Sequence, residues 1–334
     1  MNEDNKNIYI SYWLLLITFL VILIIIVGGL TRLTDSGLSI TRWDLFTGIL
    51  PPLSLEKWKY TFSLYKQTPE FLLINSSISL KEFQVIYWWE YAHRLLGRII
   101  GIVYLAPLIF FSFKFKLNRK KLLNFYLIFI IICFQGFLGW FMVSSGLVKN
   151  TDVSHYRLAL HLSLALVILL IILWDIFVIY DIEKFYTKIS KPLIFSLFFF
   201  IFFQIILGAF LAGLNGGLIY NTWPDMNGFF YPNDVLILDY LSINSFNNPS
   251  IIQFYHRVTG YLILLFLFFL NYSFLKNKLE IKFIAFFNVA IFLQILLGIL
   301  VLISGVEIKL ASLHQIGSIF VLSSYLLILY KNTN

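Results

Sequence analysis

The sequence predicts an all-α polytopic membrane protein, with eight transmembrane helices arranged as two tandem pseudo-symmetric four-helix bundles. Three observations carry that expectation. The 334-residue chain is 60% hydrophobic and only 13% charged, more apolar surface than a soluble core of this length can hide. Its apolar residues gather into eight runs of about the twenty residues a helix needs to cross hydrocarbon. Matched polar and aromatic positions recur in the two halves. The net charge of +8 would suggest nucleic acid in a soluble protein. Here the positive residues collect in short loops, so they read as topology signals, and no nucleic-acid partner is expected.

The first run, about 10–30, is long enough to span and lacks a small-residue cleavage site, so it reads as a retained helix. The second, 85–112, opens on a polar cluster but is uncharged from Ile99 to Ser112. The third, 122–146, holds Gln135, Gly139 and Cys133. A single cysteine permits no intrachain disulfide and reads as an inert buried residue. The fourth, 157–179, contains His161, with His155 before it as a loop residue. The fifth and sixth, 193–214 and 251–273, are followed by the seventh, 283–305, with Gln294 and Gly298, and by the eighth, 310–330. Backbone groups in lipid must be paired within the segment, which demands helix. The continuous apolar runs also lack the alternation of a barrel strand.

Loop charges orient the chain. Lys114, Lys116, Arg119, Lys120 and Lys121 follow segment two; Lys184, Lys188 and Lys191 follow segment four; Lys276, Lys278 and Lys282 follow segment six. The connection between segments five and six has Asp225, Asp234 and Asp239 but no Lys or Arg. The positive-inside bias puts both termini in the cytoplasm and the long loops, 31–84 and 215–250, outside.

An internal repeat divides the chain into residues 1–184 and 185–334. Glu90-Tyr91-Ala92-His93-Arg94 opens segment two and Gln253-Phe254-Tyr255-His256-Arg257 opens segment six. Gln135 and Gly139 match Gln294 and Gly298 in spacing, and Gly37, Trp43 and Gly48 match Gly217, Trp223 and Gly228. Both halves start on the same side, so the repeat is parallel. His93 and His161, then His256 and His314, lie near the starts of even-numbered segments. One histidine in a membrane is as readily an interhelical hydrogen bond. Four at matched depth point to metal or haem ligation, because neutral imidazole is a standard axial ligand of haem iron.

Glu90 lies one turn before His93, on the same helix face. It could move protons or stabilise a cationic intermediate, or it could simply pair with Arg94. The matching residue, Gln253, cannot titrate, which suggests chemistry in the first half and a resident cofactor in the second. Arg94 and Arg257 directly follow ligand candidates, and Arg98 lies one turn beyond Arg94. Their forks suit haem propionates, or they snorkel to headgroups. Gly97 and Gly101 read as close helix packing. Trp88, Trp89, Trp140 and Trp223 read as an interfacial aromatic belt.

Several stretches resemble the haem A synthase family: Gly28 through Ser39, Trp43 through Pro52, Tyr65-Lys66-Gln67-Thr68-Pro69-Glu70, Glu90 through Arg98, Ser154 through His161 and Tyr220-Asn221-Thr222-Trp223-Pro224. The likeness runs from about residue 28 to 320 and is to the proteobacterial and mitochondrial branch. The other branch's outer-loop cysteine pair is absent here. The resemblance implies oxidation of the C8 methyl of haem O to the formyl of haem A, through the alcohol and a gem-diol that loses water. It implies a resident haem b on His256 and His314, and substrate haem O at His93 and His161, with Glu90 required. It also implies a bacterial inner-membrane location and work alongside haem O synthase and terminal-oxidase assembly factors. Homo-oligomerisation is left open, and the residues name no electron acceptor. The competing class is a non-catalytic di-haem electron-transfer cytochrome. A histidine-relay transporter fits poorly, because the ligand candidates lie near one surface and not at midplane.

Overall fold

Apolar chain that must satisfy its own backbone in lipid has few options, and here it is helical throughout. A computed structural model describes residues 3–42, 47–115, 117–149 and 151–333, with side chains described except at 3–5, 47 and 145–149. Trp43 and Lys116 lie outside the described residues. The helices are α1 (Glu3–Leu33), α2 (Leu55–Tyr65), α3 (Pro69–Leu73), α4 (Leu80–Lys114), α5 (Arg119–Lys149), α6 (His155–Ile179), α7 (Lys191–Gly213), α8 (Pro249–Lys276), α9 (Ile281–Ile303) and α10 (Ile308–Lys331). Eight of them, all but α2 and α3, are long and apolar enough to cross a membrane. Among the described residues there is no strand, only an isolated bridge between Met226 and Phe229. The chain is an all-α integral membrane protein.

Four sequence expectations need correction. The stretch 31–84 is not one open loop but carries α2 and α3. Ser54 caps α2 by accepting from the Lys57 N–H, and Thr68 caps α3 with Pro69 in its first turn. Next, α4 starts at Leu80, because Ser79 and Glu82 form a reciprocal capping box. His93 is therefore deeper in its helix than its counterparts are in theirs. Third, His155 is the first residue of α6, not a loop residue. Fourth, Cys133 is exposed on α5, on a face shared with the exposed Ile130, Phe134 and Phe137. On a spanning helix that face meets lipid.

The chain separates into two compact units, Met1–Ile172 and Leu173–Asn334. In the first, α1 packs along α4, α4 along α5, α2 on α4 and α3 on α5. An aromatic cluster binds α2 and α3 to the start of α4: Phe62, Tyr65, Phe71, Phe83, Tyr87 and Tyr91. Phe62 stacks on Phe83 at 4.9 Å between ring centres, and Trp58 meets Tyr87 edge-on at 4.9 Å. Each such pair adds about 1 kcal/mol beyond burial.

In the second unit α7, α8, α9 and α10 pack in a closed cycle, α7 on α8, α8 on α9, α9 on α10 and α10 on α7. The last turn of α10 is stitched to the segment before α7. Lys331 donates to the Glu183 carbonyl, and Lys184 donates to the Tyr330 carbonyl at 2.9 Å. Both cations lie where helix-terminal carbonyls favour positive charge. The buried Asn332 amide pairs both ways with Ile189, accepting from its N–H at 2.7 Å and donating to its carbonyl at 3.1 Å. Removing it strands two buried backbone groups, at about 1–3 kcal/mol for such loss. Asn332→Ala should therefore lower the thermal unfolding midpoint in detergent, while Asn332→Asp should recover only the accepting half. An unchanged midpoint in Asn332→Ala would contradict this reading.

Candidate functional site

Each of the four membrane histidines rests against a glycine of a neighbouring helix. A β-carbon at Gly28 of α1 would come within 2.9 Å of His93 Nε2 on α4, and one at Gly139 of α5 within 3.0 Å of His161 Cε1 on α6. In the second unit a β-carbon at Gly208 of α7 would lie 3.4 Å from His256 Cε1 on α8. One at Gly298 of α9 would lie 2.9 Å from His314 Cε1 on α10. Side-chain carbon at these distances would displace most of these rings. The glycines are the space in which the imidazoles sit.

A second device fixes three of the four positions lengthwise. One turn before its glycine, Gln135 Nε2 donates to the His161 carbonyl at 2.9 Å, Gln204 to the His256 carbonyl at 2.9 Å, and Gln294 to the His314 carbonyl at 3.0 Å. A helical carbonyl has a spare lone pair for such a bond. The packing is reciprocal: Gln204 and Gln294 lie against Gly260 and Gly317. On α1 the corresponding residue is Ile24, which sits against Gly97 of α4. That contact explains Gly97; Gly101 has open space about it. The sequence reading found Gln135–Gly139 and Gln294–Gly298. It missed Gln204–Gly208, though the spacing is the same, and it missed the role of Gly28.

His93 and His161 face one another with ring centres 6.3 Å apart. At that separation the two imidazoles could together hold one haem iron, which would supply redox chemistry when bound. His256 and His314 likewise lie within electrostatic reach of each other. All four rings are half-buried. Nδ1 of His161, His256 and His314 is buried without a hydrogen-bond partner, a costly state that a ligand or ion would relieve. Among the described residues no three His, Cys, Asp or Glu side chains converge as a metal-binding group. Two imidazoles per site suit a metal whose other positions a porphyrin fills, so the residues present fit a haem.

Beside these pairs the two units treat one position differently. Glu90 is buried, at 3% exposure. Its Oε2 accepts from the Ser39 hydroxyl at 2.7 Å and from the Ile40 N–H at 2.7 Å, and its Oε1 accepts from Arg94 at 2.5 Å. In the second unit Gln253, also buried, donates instead to the Tyr220 carbonyl at 2.9 Å. The arginines behave alike. Arg94 donates to the Ile40 and Arg42 carbonyls, and Arg257 donates to the carbonyls of Tyr220, Thr222 and Asp225. Arg94 and Arg257 thus hold the connection that follows the preceding spanning helix in place over the site, a use the sequence reading did not anticipate. Arg98 is half-buried one turn past Arg94.

The family described as cytochrome oxidase assembly protein, COX15-CtaA, matches residues 11–326. A protein named heme A synthase from Pelagibacter ubique is 56% identical over 334 residues, covering 100% of this chain and 99% of its own length. Heme A synthases from Parvibaculum lavamentivorans and Rickettsia bellii are 40% and 41% identical, covering 95% and 96% of this chain and 92% and 96% of their own. With the match spanning nearly all of its length, the chain belongs to the COX15-CtaA family.

Proposed function

We propose that this protein is a haem A synthase, an oxidoreductase that converts the C8 methyl of haem O to the formyl group of haem A. The observation that carries the reading is an asymmetry within a repeat. Both units offer a histidine pair cradled by glycines, but only the first sets a buried carboxylate beside its pair. Full-length likeness to proteins named heme A synthase supports the same assignment.

In this reading residues 1–184 and 185–334 are two tandem four-helix halves. His93 and His161 take the substrate haem O. His256 and His314 hold a resident haem b, which when bound supplies one-electron transfer. Gly208 and Gly298 leave room for those two imidazoles, and Gln204 and Gln294 hold the helices that carry them in register. Arg94 and Arg257 draw the adjoining connections over the two sites and so exclude water. Glu90, fixed by Ser39, Ile40 and Arg94, is held in a preset position one turn from His93. There its carboxylate can accept a proton released as the substrate is oxidised, or offset positive charge that develops on it. The Lys and Arg distribution supports both termini cytoplasmic with the connections 31–84 and 215–250 outside, and the likeness to heme A synthases supports a bacterial inner-membrane location.

Substitution separates the sites. His256→Ala and His314→Ala should abolish resident haem absorbance. His93→Ala and His161→Ala should keep most of it yet stop haem A formation. Equal haem loss from all four variants would count against separate roles. Glu90→Gln should keep normal haem b while haem A output falls about 10²-fold or more and haem O or its alcohol accumulates. If the carboxylate serves only to anchor Arg94, the variant should instead lose folded protein and haem together, since a stranded buried charge costs about 3–5 kcal/mol.

The cradle makes its own prediction. Gly298→Val should displace the His314 ring and lower resident haem content, measured by the pyridine haemochrome, while Gly101→Ala, made where space is open, should leave it unchanged. Equal haem in the two variants would contradict a ligand role for His314.

A further inference from the structure

Glu70 of α3 is buried at 4% exposure, and its Oε2 has no hydrogen-bond partner. Nothing in the reaction as described above uses it. Ion pairs among the described residues join Arg32 to Asp35, Arg94 to Glu90 and Lys282 to Glu280, so Glu70 has none. The nearby Lys66 ammonium lies over the rings of Phe62 and Phe71 instead, at 4.5 and 5.8 Å. The charged groups that Glu70 does feel are acidic: Glu90 on α4, Asp35 after α1 and Asp152 before α6. Its polar neighbour is the Tyr65 hydroxyl on α2, which itself accepts from Asn75 Nδ2 at 2.8 Å.

Burial first, then the negative charge of Glu90, push the Glu70 carboxyl up to about 8, against a smaller downward pull from the Tyr65 hydroxyl. Near neutrality the group is a carboxylic acid with a proton to give. Between it and Glu90 stands a continuous aromatic path: Tyr65 to Phe83 at 5.1 Å, Phe83 to Tyr87 at 6.0 Å and Tyr87 to Tyr91 at 6.1 Å. Such a medium screens charge weakly, so each carboxyl registers the state of the other. A buried acid where leucine or glutamine would fill the position at less cost is a candidate for use of its proton. The second unit carries Gln253 where Glu90 stands, and its outer connection, 215–250, contains no glutamate.

We propose that Glu70 is a compensating acid for the first-unit site, whose hold on its own proton follows the charge of Glu90. When Glu90 takes up a proton, one of the influences that hold the Glu70 proton is removed, so Glu70 holds its own proton less tightly toward solvent, while burial still favours the acid. When Glu90 gives its proton up again, its negative charge returns and Glu70 rebinds a proton from solvent. No electrons move and no bond other than O–H is made or broken. Glu70 acts through Glu90 and does not touch substrate. The inference rests on the proposed proton role of Glu90.

Infrared titration of the purified full-length protein tests the coupling without turnover. The wild type should show a carboxylic-acid C=O band that titrates near pH 8 and is missing in Glu70→Gln. In Glu90→Gln its midpoint should fall. Haem A formation by Glu70→Gln should drop at least about tenfold at unchanged haem content and lose its pH dependence above neutrality. Tyr65→Phe, which removes the hydroxyl that pulls the group down, should move the infrared midpoint and the alkaline edge of activity upward together. This last variant keeps the proposal testable if Glu70→Gln folds poorly.

Stability carries a matching sign. The folded state keeps this proton up to about 8 and the unfolded chain loses it near 4.5. Wild-type stability should therefore fall as pH rises through that window, more steeply than that of Glu70→Gln. A Glu70 band insensitive to Glu90→Gln would overturn the coupling, as would wild-type output and pH profile in Glu70→Gln. If the infrared coupling holds while the wild type itself makes no haem A, the proposed function fails and the Glu70–Glu90 link stands.

Discussion

A helix that carries an imidazole can approach its neighbour closely only where the neighbour has no side chain. Four contacts in this protein obey that constraint, at Gly28, Gly139, Gly208 and Gly298. They determine which helices pair: α1 with α4, α5 with α6, α7 with α8 and α9 with α10. Within each unit the histidine-bearing members of two pairs then supply one imidazole each. The glutamines one turn before three of the glycines bind the histidine carbonyls, so closeness and register are set by adjacent residues of one motif. In a membrane, where apolar packing distinguishes partners poorly, small residues and interhelical hydrogen bonds carry that specificity.

The units diverge at the residue one turn before His93 and His256. A carboxylate must accept and an amide can donate, and the backbone answers accordingly. Glu90 receives the Ile40 N–H, whereas Gln253 gives to the Tyr220 carbonyl. One scaffold thus accommodates either group with a local change in the connection above it. The first unit adds the aromatic cluster that joins α2 and α3 to α4, beside which Glu70 is buried. Among the described residues its buried carboxylates are Glu70 and Glu90, while the second unit has the buried amide of Gln253 at the position that matches Glu90.

Much of this was legible in the sequence, for identifiable reasons. Apolar runs longer than twenty residues admit helix alone, so the eight spans could be read directly. The histidines stood out because polar residues in such runs are scarce. Helices α2 and α3 were missed because their signals, Ser54, Thr68-Pro69 and Ser79 with Glu82, are short caps within a stretch that lacks long periodicity. Cys133 was misassigned because an apolar helix gives no sign of which face meets lipid. The main-chain carbonyls that accept from Arg94 and Arg257 leave no mark in sequence, so those bonds could not be read there. Gln204 and Gly208 repeat a spacing already recognised elsewhere, so that signal was present and unread.

The central claim is that two similar histidine pairs do different work, one on a substrate and one on a resident cofactor. Extraction and chromatographic identification of the pigments in the purified protein tests it most directly. The account requires haem b together with haem O, haem A or an oxidised intermediate. Two equivalents of haem b per chain, with no other haem, would contradict it and mark the protein as an electron carrier.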